Sequence, residues 1–318
     1  MAISLEEFLE EWNNSSPYIH VQTSGSTGVP KPMLVEKRRM LNSARITCDF
    51  LGLHEGDTAL LCMSLDYIAG KMMVVRAIER GLKLIVQEPN GHPMAVSSID
   101  FAAMVPMQVY NSLQVPEERE RLMQIKNLII GGGAIDDALA AELKTFPNAV
   151  WSTYGMTETL SHIALRRLSG PEASEFYTPF PGVRLSLSPE DCLIIDAPEV
   201  CPEPLVTNDI AELSFQNFKI LGRKDNIICS GGLKIQAEQL ERQLRPHIRV
   251  PYLISKRPDA KFGEIVVLLT EGSVDEAREV CQRVLPKYHQ PRAYIHLDHI
   301  PLTETGKPAR KQAEQEIR

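Results

Sequence analysis

Thr23-Ser24-Gly25-Ser26-Thr27-Gly28-Val29-Pro30-Lys31 packs hydroxyls, two glycines and an ammonium into one short stretch. Glycine lets the backbone bend so that successive N–H groups converge on one anion. The hydroxyls and Lys31 add donors, so the stretch suits a polyphosphate. It is not a Walker A loop, because GxxxxGK[ST] is absent and the lysine follows a proline. Tyr154-Gly155-Met156-Thr157-Glu158-Thr159 closes an apolar strand pattern, and strand C-termini in open α/β sheets are where ligands bind. Glu158 suits Mg²⁺, which keeps its waters and needs few protein carboxylates beside phosphates. Alone, the same hexapeptide reads as a turn.

Three further stretches carry charge at turns. Asp209 in Thr207-Asn208-Asp209-Ile210 could accept two ribose hydroxyls or simply make an Asx turn. Gly222-Arg223-Lys224-Asp225-Asn226 leads to Ser230-Gly231-Gly232, then to Glu238 and Glu241 on a helix pattern. Pro301-Leu302-Thr303-Glu304-Thr305-Gly306-Lys307-Pro308-Ala309-Arg310-Lys311 places a lysine in a Gly/Pro turn. By itself Lys307 is a solvated charge; its company with four anion-handling stretches makes it a catalytic candidate. Lys234, Arg310 and Lys311 read either as phosphate ligands or as solvated charges.

The elements that must position these residues follow from periodicity. Strand patterns at Tyr18–Thr23, Thr58–Ser64, Leu82–Gln87, Phe101–Val105, Asn127–Ile130 and Val150–Thr153 alternate with helix patterns at 37–51, 67–80, 106–124 and 136–146. That alternation predicts a mostly parallel sheet with right-handed crossovers. From about residue 160, short strands separated by turns predict a small antiparallel sheet or barrel. Beyond 226, a strand, helix 236–245, strands 250–255 and 264–270, helix 274–285 and strand 292–297 predict a second, α+β domain. The expected division is 1–222, a hinge at 223–226, and a mobile domain at 227–318.

Composition agrees. The 318 residues are 43 % apolar, enough for a sizeable core, and the net charge is −7. With no long basic tract, nucleic acid is not the expected partner. No apolar run has the length of a membrane span, and the acidic N-terminus MAISLEEFLEEW is unlike a signal peptide. The expectation is a soluble cytoplasmic protein, with self-association left open. The six cysteines form no CxxC pair and no zinc spacing, so reduced, buried thiols are expected. The histidines at 289, 296 and 299 would split between strand faces, which favours structural roles.

These five stretches, in this order, resemble the adenylate-forming superfamily of acyl-CoA synthetases, luciferases and peptide-synthetase adenylation domains. The resemblance covers nearly the whole chain. Around Ser64–Ala77 and Tyr154–Ile163 it is similar to the o-succinylbenzoate–CoA ligases. The resemblance implies ATP, Mg²⁺ and CoA as ligands, and a carboxylic acid, o-succinylbenzoate, as substrate. It implies that residues 24–31, with Thr23, wrap the β- and γ-phosphates. Gly131, Gly132 and Gly133 would line the adenine and acyl pocket, and Tyr154, followed by Gly155, would stack near adenine. Thr157 would touch the α-phosphate and Glu158 would ligate Mg²⁺. Asp209 and Arg223 would hold the ribose, Asp225 would be the hinge, and Ser230, Gly231 and Gly232 would sit on the pantetheine path. Lys307 would bridge the acid's carboxylate and the α-phosphate.

The chain also departs from that pattern. The phosphate stretch begins at residue 23, where the family usually has a substantial subdomain before it. Thr-Gly-Asp appears as Thr207-Asn208-Asp209, and the usual aromatic-His pair is replaced by Leu65-Asp66-Tyr67-Ile68-Ala69-Gly70-Lys71. For a second carboxylate on the acid, the candidate partners are Lys71, Ser161 and His162; as bland alternatives, Lys71 is an exposed helix lysine and His162 a strand histidine. Two other readings stay open: an adenylating enzyme for another acid or for a carrier thiol, and a non-catalytic nucleotide- or acyl-binding module.

Overall fold

The computed structural model describes residues 3–22, 32–95, 98–133, 135, 137–303 and 308–317. It contains two compact units. The first comprises Met1–Leu185, Ile195–Leu205 and Leu213–Lys219; the second comprises Ser186–Ile194, Val206–Glu212 and Ile220–Arg318.

Helix α1 (Leu5–Asn13) starts at a capping box: Ser4 accepts from the Glu7 N–H, and Glu7 accepts from the Ser4 N–H. It buries Phe8 and Trp12. Strands β1 (Tyr18–Gln22) and β2 (Pro32–Glu36) then pair antiparallel as a separate two-stranded sheet. The first predicted strand therefore does not join the parallel sheet. Its partner is the strand that follows it in the chain, across residues 23–31.

Next come α2 (Lys37–Leu51), β3 (Thr58–Leu61), α3 (Ile68–Arg80), β4 (Lys83–Val86), β5 (Phe101–Met104), α4 (Pro106–Leu113), α5 (Pro116–Gln124), β6 (Asn127–Ile130), α6 (Asp137–Leu143), β7 (Ala149–Gly155), β8 (His162–Arg167) and β9 (Thr178–Pro179). The sheet order is β4-β3-β5-β6-β7-β8-β9. Its first five strands are parallel and the last two pairings antiparallel. The single helix expected over 106–124 is two helices. Pro116 has no N–H to continue α4 and drives Val115 into extended backbone (φ −111°, ψ 115°), so a new helix starts at the proline. Leu60, Ala102, Met104, Leu128, Ile130 and Val150 carry the core of this sheet against Val109, Leu122 and Leu139.

Strands β10 (Arg184–Leu187), β11 (Cys192–Asp196), β12 (Leu205–Ser214) and β13 (Asn217–Arg223) form a four-stranded sheet in chain order. In the second unit β14 (Ile227–Ser230) and β15 (Leu233–Gln236) make a hairpin. Helix α7 (Ala237–Leu244), β16 (Tyr252–Asp259), β17 (Gly263–Thr270), α8 (Val274–Val284), β18 (Ala293–His296) and α9 (Arg310–Glu316) complete it. Strand β17 alternates strictly. Val266 and Leu268 pack with α7 and α8, while Ile265, Val267 and Leu269 pack with Ile300, Ala313 and Ile317. Period-two burial on both faces needs a helix layer on each side.

Candidate active site

Strands β3, β5, β6 and β7 are parallel, so their C-terminal ends lie on one edge, and the predicted features of the first unit follow those ends. The Gly131 N–H donates to the Met104 carbonyl at 3.0 Å. A Cβ on Gly131 would fall 2.4 Å from Thr153 Oγ1, so glycine brings the β6 end against β7. The Tyr154 ring meets Phe218 edge-on at 5.1 Å and Tyr177 at 5.8 Å, with the Arg166 guanidinium 5.2 Å over Tyr177.

Beyond Tyr154 the chain doubles back. A Cβ on Gly155 would stand 2.3 Å from His162 Cα, so this approach admits glycine alone. A 3₁₀ turn over Thr157–Thr159 follows, and the Met156 N–H donates to Thr159 Oγ1. Leu160, buried, takes φ +64°, a left-handed conformation that costs of order 1–3 kcal/mol for such a residue. The result buries Thr157 and leaves Glu158 exposed, with no ion pair among the described residues. An exposed, uncommitted carboxylate at strand ends suits a hydrated Mg²⁺.

Behind this turn lies a residue that the sequence reading missed. Arg76 of α3 is 2 % exposed. One guanidinium nitrogen donates to Ser161 Oγ at 2.6 Å, another reaches Met73 Sδ at 3.8 Å, and Nε has no partner. Among the described residues, no carboxylate pairs with it. Burial pushes its pKa down to about 10, which leaves it charged at neutral pH. Ser161 Oγ lies 3.1 Å from His162 Nδ1, and His162 Nε2 lies 3.2 Å from Thr47 Oγ1. The Thr47 hydroxyl donates to the Ser43 carbonyl, so it accepts from Nε2–H, and Nδ1 accepts from Ser161. That assigns a neutral imidazole. Burial, then the neighbouring Arg76 charge, holds the His162 pKa well below its usual value. The available signal was an arginine inside Met72-Met73-Val74-Val75-Arg76-Ala77, an otherwise apolar helix stretch.

Ser161 and His162 thus stand together, and Lys71 has different partners. It is 3 % exposed, so it is not the exposed helix lysine of the bland reading. Its Nζ donates to the His20 carbonyl at 2.6 Å and lies 6.0 Å over the Phe8 ring. Burial lowers its pKa, opposed by Glu11 and Asp66. With Glu11, His20, Val21, Gln22 and Asp66 it lines a cavity of about 360 Å³. Gly70 seats this end of α3, because a Cβ there would be 2.2 Å from the Ser64 carbonyl oxygen.

In the second unit, Arg223 forks between two carboxylates. It reaches Asp209 Oδ1 at 3.2 Å and Asp225 Oδ2 at 3.1 Å. The Asp209 N–H donates to Thr207 Oγ1 within β12, so the local bond is made by the threonine hydroxyl rather than by an Asx turn at Asp209. Three predicted residues therefore converge. Gly231 (φ +58°) and Gly232 (φ +85°) make the two-residue turn of the β14–β15 hairpin, and the Gly231 N–H donates to the Phe262 carbonyl. Arg310 is neither solvated nor free for phosphate, because it is paired with Glu241 at 2.6 Å. Thr23, Ser24, Gly25, Ser26, Thr27, Gly28, Lys31 and Lys307 lie outside the described residues.

Residues 6–194 match the family model of the AMP-binding enzymes. The 2-succinylbenzoate–CoA ligase of Listeria monocytogenes is 24 % identical over 97 % of this chain and 72 % of its own length. The crystal structure of an acyl-CoA synthetase (AMP-forming)/AMP-acid ligase II-like protein from Dyadobacter fermentans is 33 % identical, covers 98 % of this chain and 93 % of its own, and has a TM-score of 0.67. The o-succinylbenzoate CoA synthetase of Bacillus subtilis, solved with the acyl-adenylate OSB-AMP, shares the fold at a TM-score of 0.78 and 22 % identity, over 93 % of this chain and 68 % of its own. The chain belongs to the AMP-binding enzyme family.

Proposed function

We propose that this chain is an AMP-forming acid–CoA ligase whose acid is a dicarboxylate, 2-succinylbenzoate. The observation that carries the choice of acid is Arg76: a buried, charged guanidinium with no carboxylate partner among the described residues. An isolated buried cation is destabilising by several kcal/mol, and a ligand carboxylate would remove that penalty on binding. In this reading Ser161 and His162 hold Arg76 in register for the distal carboxylate, and Lys71 stands outside the acid site.

The reacting carboxylate attacks the α-phosphorus of ATP and pyrophosphate leaves. Two anions must meet, so catalysis is positioning plus neutralisation of charge. Lys307 and residues 23–31 supply cations and N–H donors. Glu158 would hold Mg²⁺, which would supply neutralisation of phosphate charge. Thr157 contacts the α-phosphate, Tyr154 and the Gly131–Gly133 stretch border the base, and Asp209 with Arg223 holds the ribose. The acyl-adenylate is a mixed anhydride; the CoA thiolate attacks its carbonyl along the Ser230–Gly232 turn and AMP leaves. Rotation at Asp225, between domains 1–222 and 227–318, exchanges Lys307 for that turn.

A pyrophosphate-release screen over aromatic, dicarboxylic and fatty acids tests this, followed by detection of acyl-CoA when CoA is the sole thiol. The expected result is turnover with 2-succinylbenzoate ahead of every monoacid. Carboxylate-independent or absent pyrophosphate release would overturn it in favour of a binding module. Adenylate formation without thioester would point to a carrier thiol.

A further inference from the structure

Helix α7 carries two carboxylates one turn apart, and each holds a different segment. Glu238 accepts from the Arg223 N–H at 3.3 Å and from the Asn226 side chain, and it lies 2.7 Å from the Gln236 amide. It thereby fixes the start of the 223–226 segment. Glu241 accepts from Arg310 at 2.6 Å and from the Ile254 N–H at 2.9 Å. Arg310 also donates to the Ile254 carbonyl at 2.7 Å. Both side chains are mostly buried, 18 % and 13 % exposed, so solvent does little to screen the pair.

Arg310 stands three residues after Lys307. Either side of that lysine the chain is closed at its base: Leu302 and Pro308 form an antiparallel bridge, and the Ala309 N–H donates to the Pro301 carbonyl at 2.8 Å. The Arg310 fork ties this base to β16 and, through Glu241, to α7. We infer that Glu241 and Arg310 are positioning residues for adenylation, anchoring the two chain ends that flank the Lys307 stretch to the same helix that grips the 223–226 segment. The functional part of this inference rests on the ligase reading; the anchoring part does not.

A shift of about 1 Å in a reacting group can lower a rate about 10²-fold. In Arg310→Met and Glu241→Gln, pyrophosphate-forming adenylation is expected to fall about tenfold to 10²-fold, while thioester formation from supplied acyl-adenylate stays within about twofold. Arg310→Lys is expected to recover part of the loss, and serves as the test variant if Arg310→Met does not fold. An equal fall in both half-reactions, or none in a folded variant, would overturn the positioning role. Amide hydrogen exchange judges the anchor separately. The Ala309 amide is expected to exchange at least tenfold faster in the variants, with the β17 amides, which touch neither partner, unchanged. Unaltered exchange at Ala309 would overturn the anchor, whatever the enzyme's substrate. If wild-type protein forms no adenylate while Ala309 responds as expected, the ligase reading fails and the anchor stands.

Discussion

Arg76 and Arg310 are both largely taken out of water, and they are treated in opposite ways. Arg310 in the second unit is given Glu241 and the Ile254 carbonyl, and its pKa is raised by that pairing against the pull of burial. Arg76 in the first unit is given a serine hydroxyl and a thioether, with a neutral imidazole behind the serine, and its pKa falls to about 10. Buried charge is ordinarily matched by a counter-charge from the same chain. Where the fold withholds the counter-charge at the ends of parallel strands, a ligand that brings one gains most.

The largest expected contrast is in stability without ligand. Removing one partner of a buried pair is destabilising by about 3–5 kcal/mol, whereas removing an unpaired buried charge is neutral or stabilising. Arg310→Met is therefore expected to lose about 3 kcal/mol, the low end of that range because the pair is partly exposed. Arg76→Met is expected to lose nothing. Urea unfolding of both variants would break the comparison if Arg76→Met were the more damaged.

A smaller effect concerns pH. His162 has a depressed folded pKa, while the unfolded chain protonates near the ordinary value of about 6.5. The unfolded state then binds the extra proton first, so stability is full above about pH 6.5 and declines as pH falls below it. His162→Gln is expected to remove about 1 kcal/mol of the loss between pH 7 and 5.5. An unchanged slope would mean that His162 is charged in the fold and shares the burial with Arg76.

The smallest effect tests whether a thiol is the hidden counter-ion. Arg76 lowers the Cys48 pKa, but burial dominates and pushes it up to about 11; Cys62 is pushed up to about 12. Cys229 is the exposed cysteine, so a disulfide reagent at pH 8 is expected to label it first and Cys48 only on unfolding. Rapid native labelling of Cys48 would supply Arg76 with a thiolate and remove the contrast with Arg310.

Much of the fold could be read beforehand because each signal was local. Helix 37–51 and strand Asn127–Ile130 match their patterns at both ends. The break at Pro116 was also local but was read through, since apolar spacing continues across it. The partner of β1 was not legible, because alternation along the chain does not say which strands exchange hydrogen bonds. In the second unit, the family resemblance put Asp209 and Arg223 together, whereas Asp225, singled out as a hinge, joins them through Arg223 without a sequence signal for that contact. Arg76 was not, because nothing in the sequence reveals that its neighbours include no carboxylate. Lys71 and His162 were singled out by charge and motif, yet burial sends one to the His20 carbonyl and the other into the Arg76 network.

The central claim is that Arg76 is kept unpaired for the acid's second carboxylate. It is tested most directly by the ratio of kcat/KM for adenylation of 2-succinylbenzoate to that of the same acid with its non-reacting carboxylate replaced by a methyl group. A desolvated carboxylate–guanidinium contact predicts a ratio of about 10² or more in the wild type, collapsing towards unity in Arg76→Met with little change for the monoacid. A ratio that survives in Arg76→Met, or one near unity in the wild type, would contradict the account.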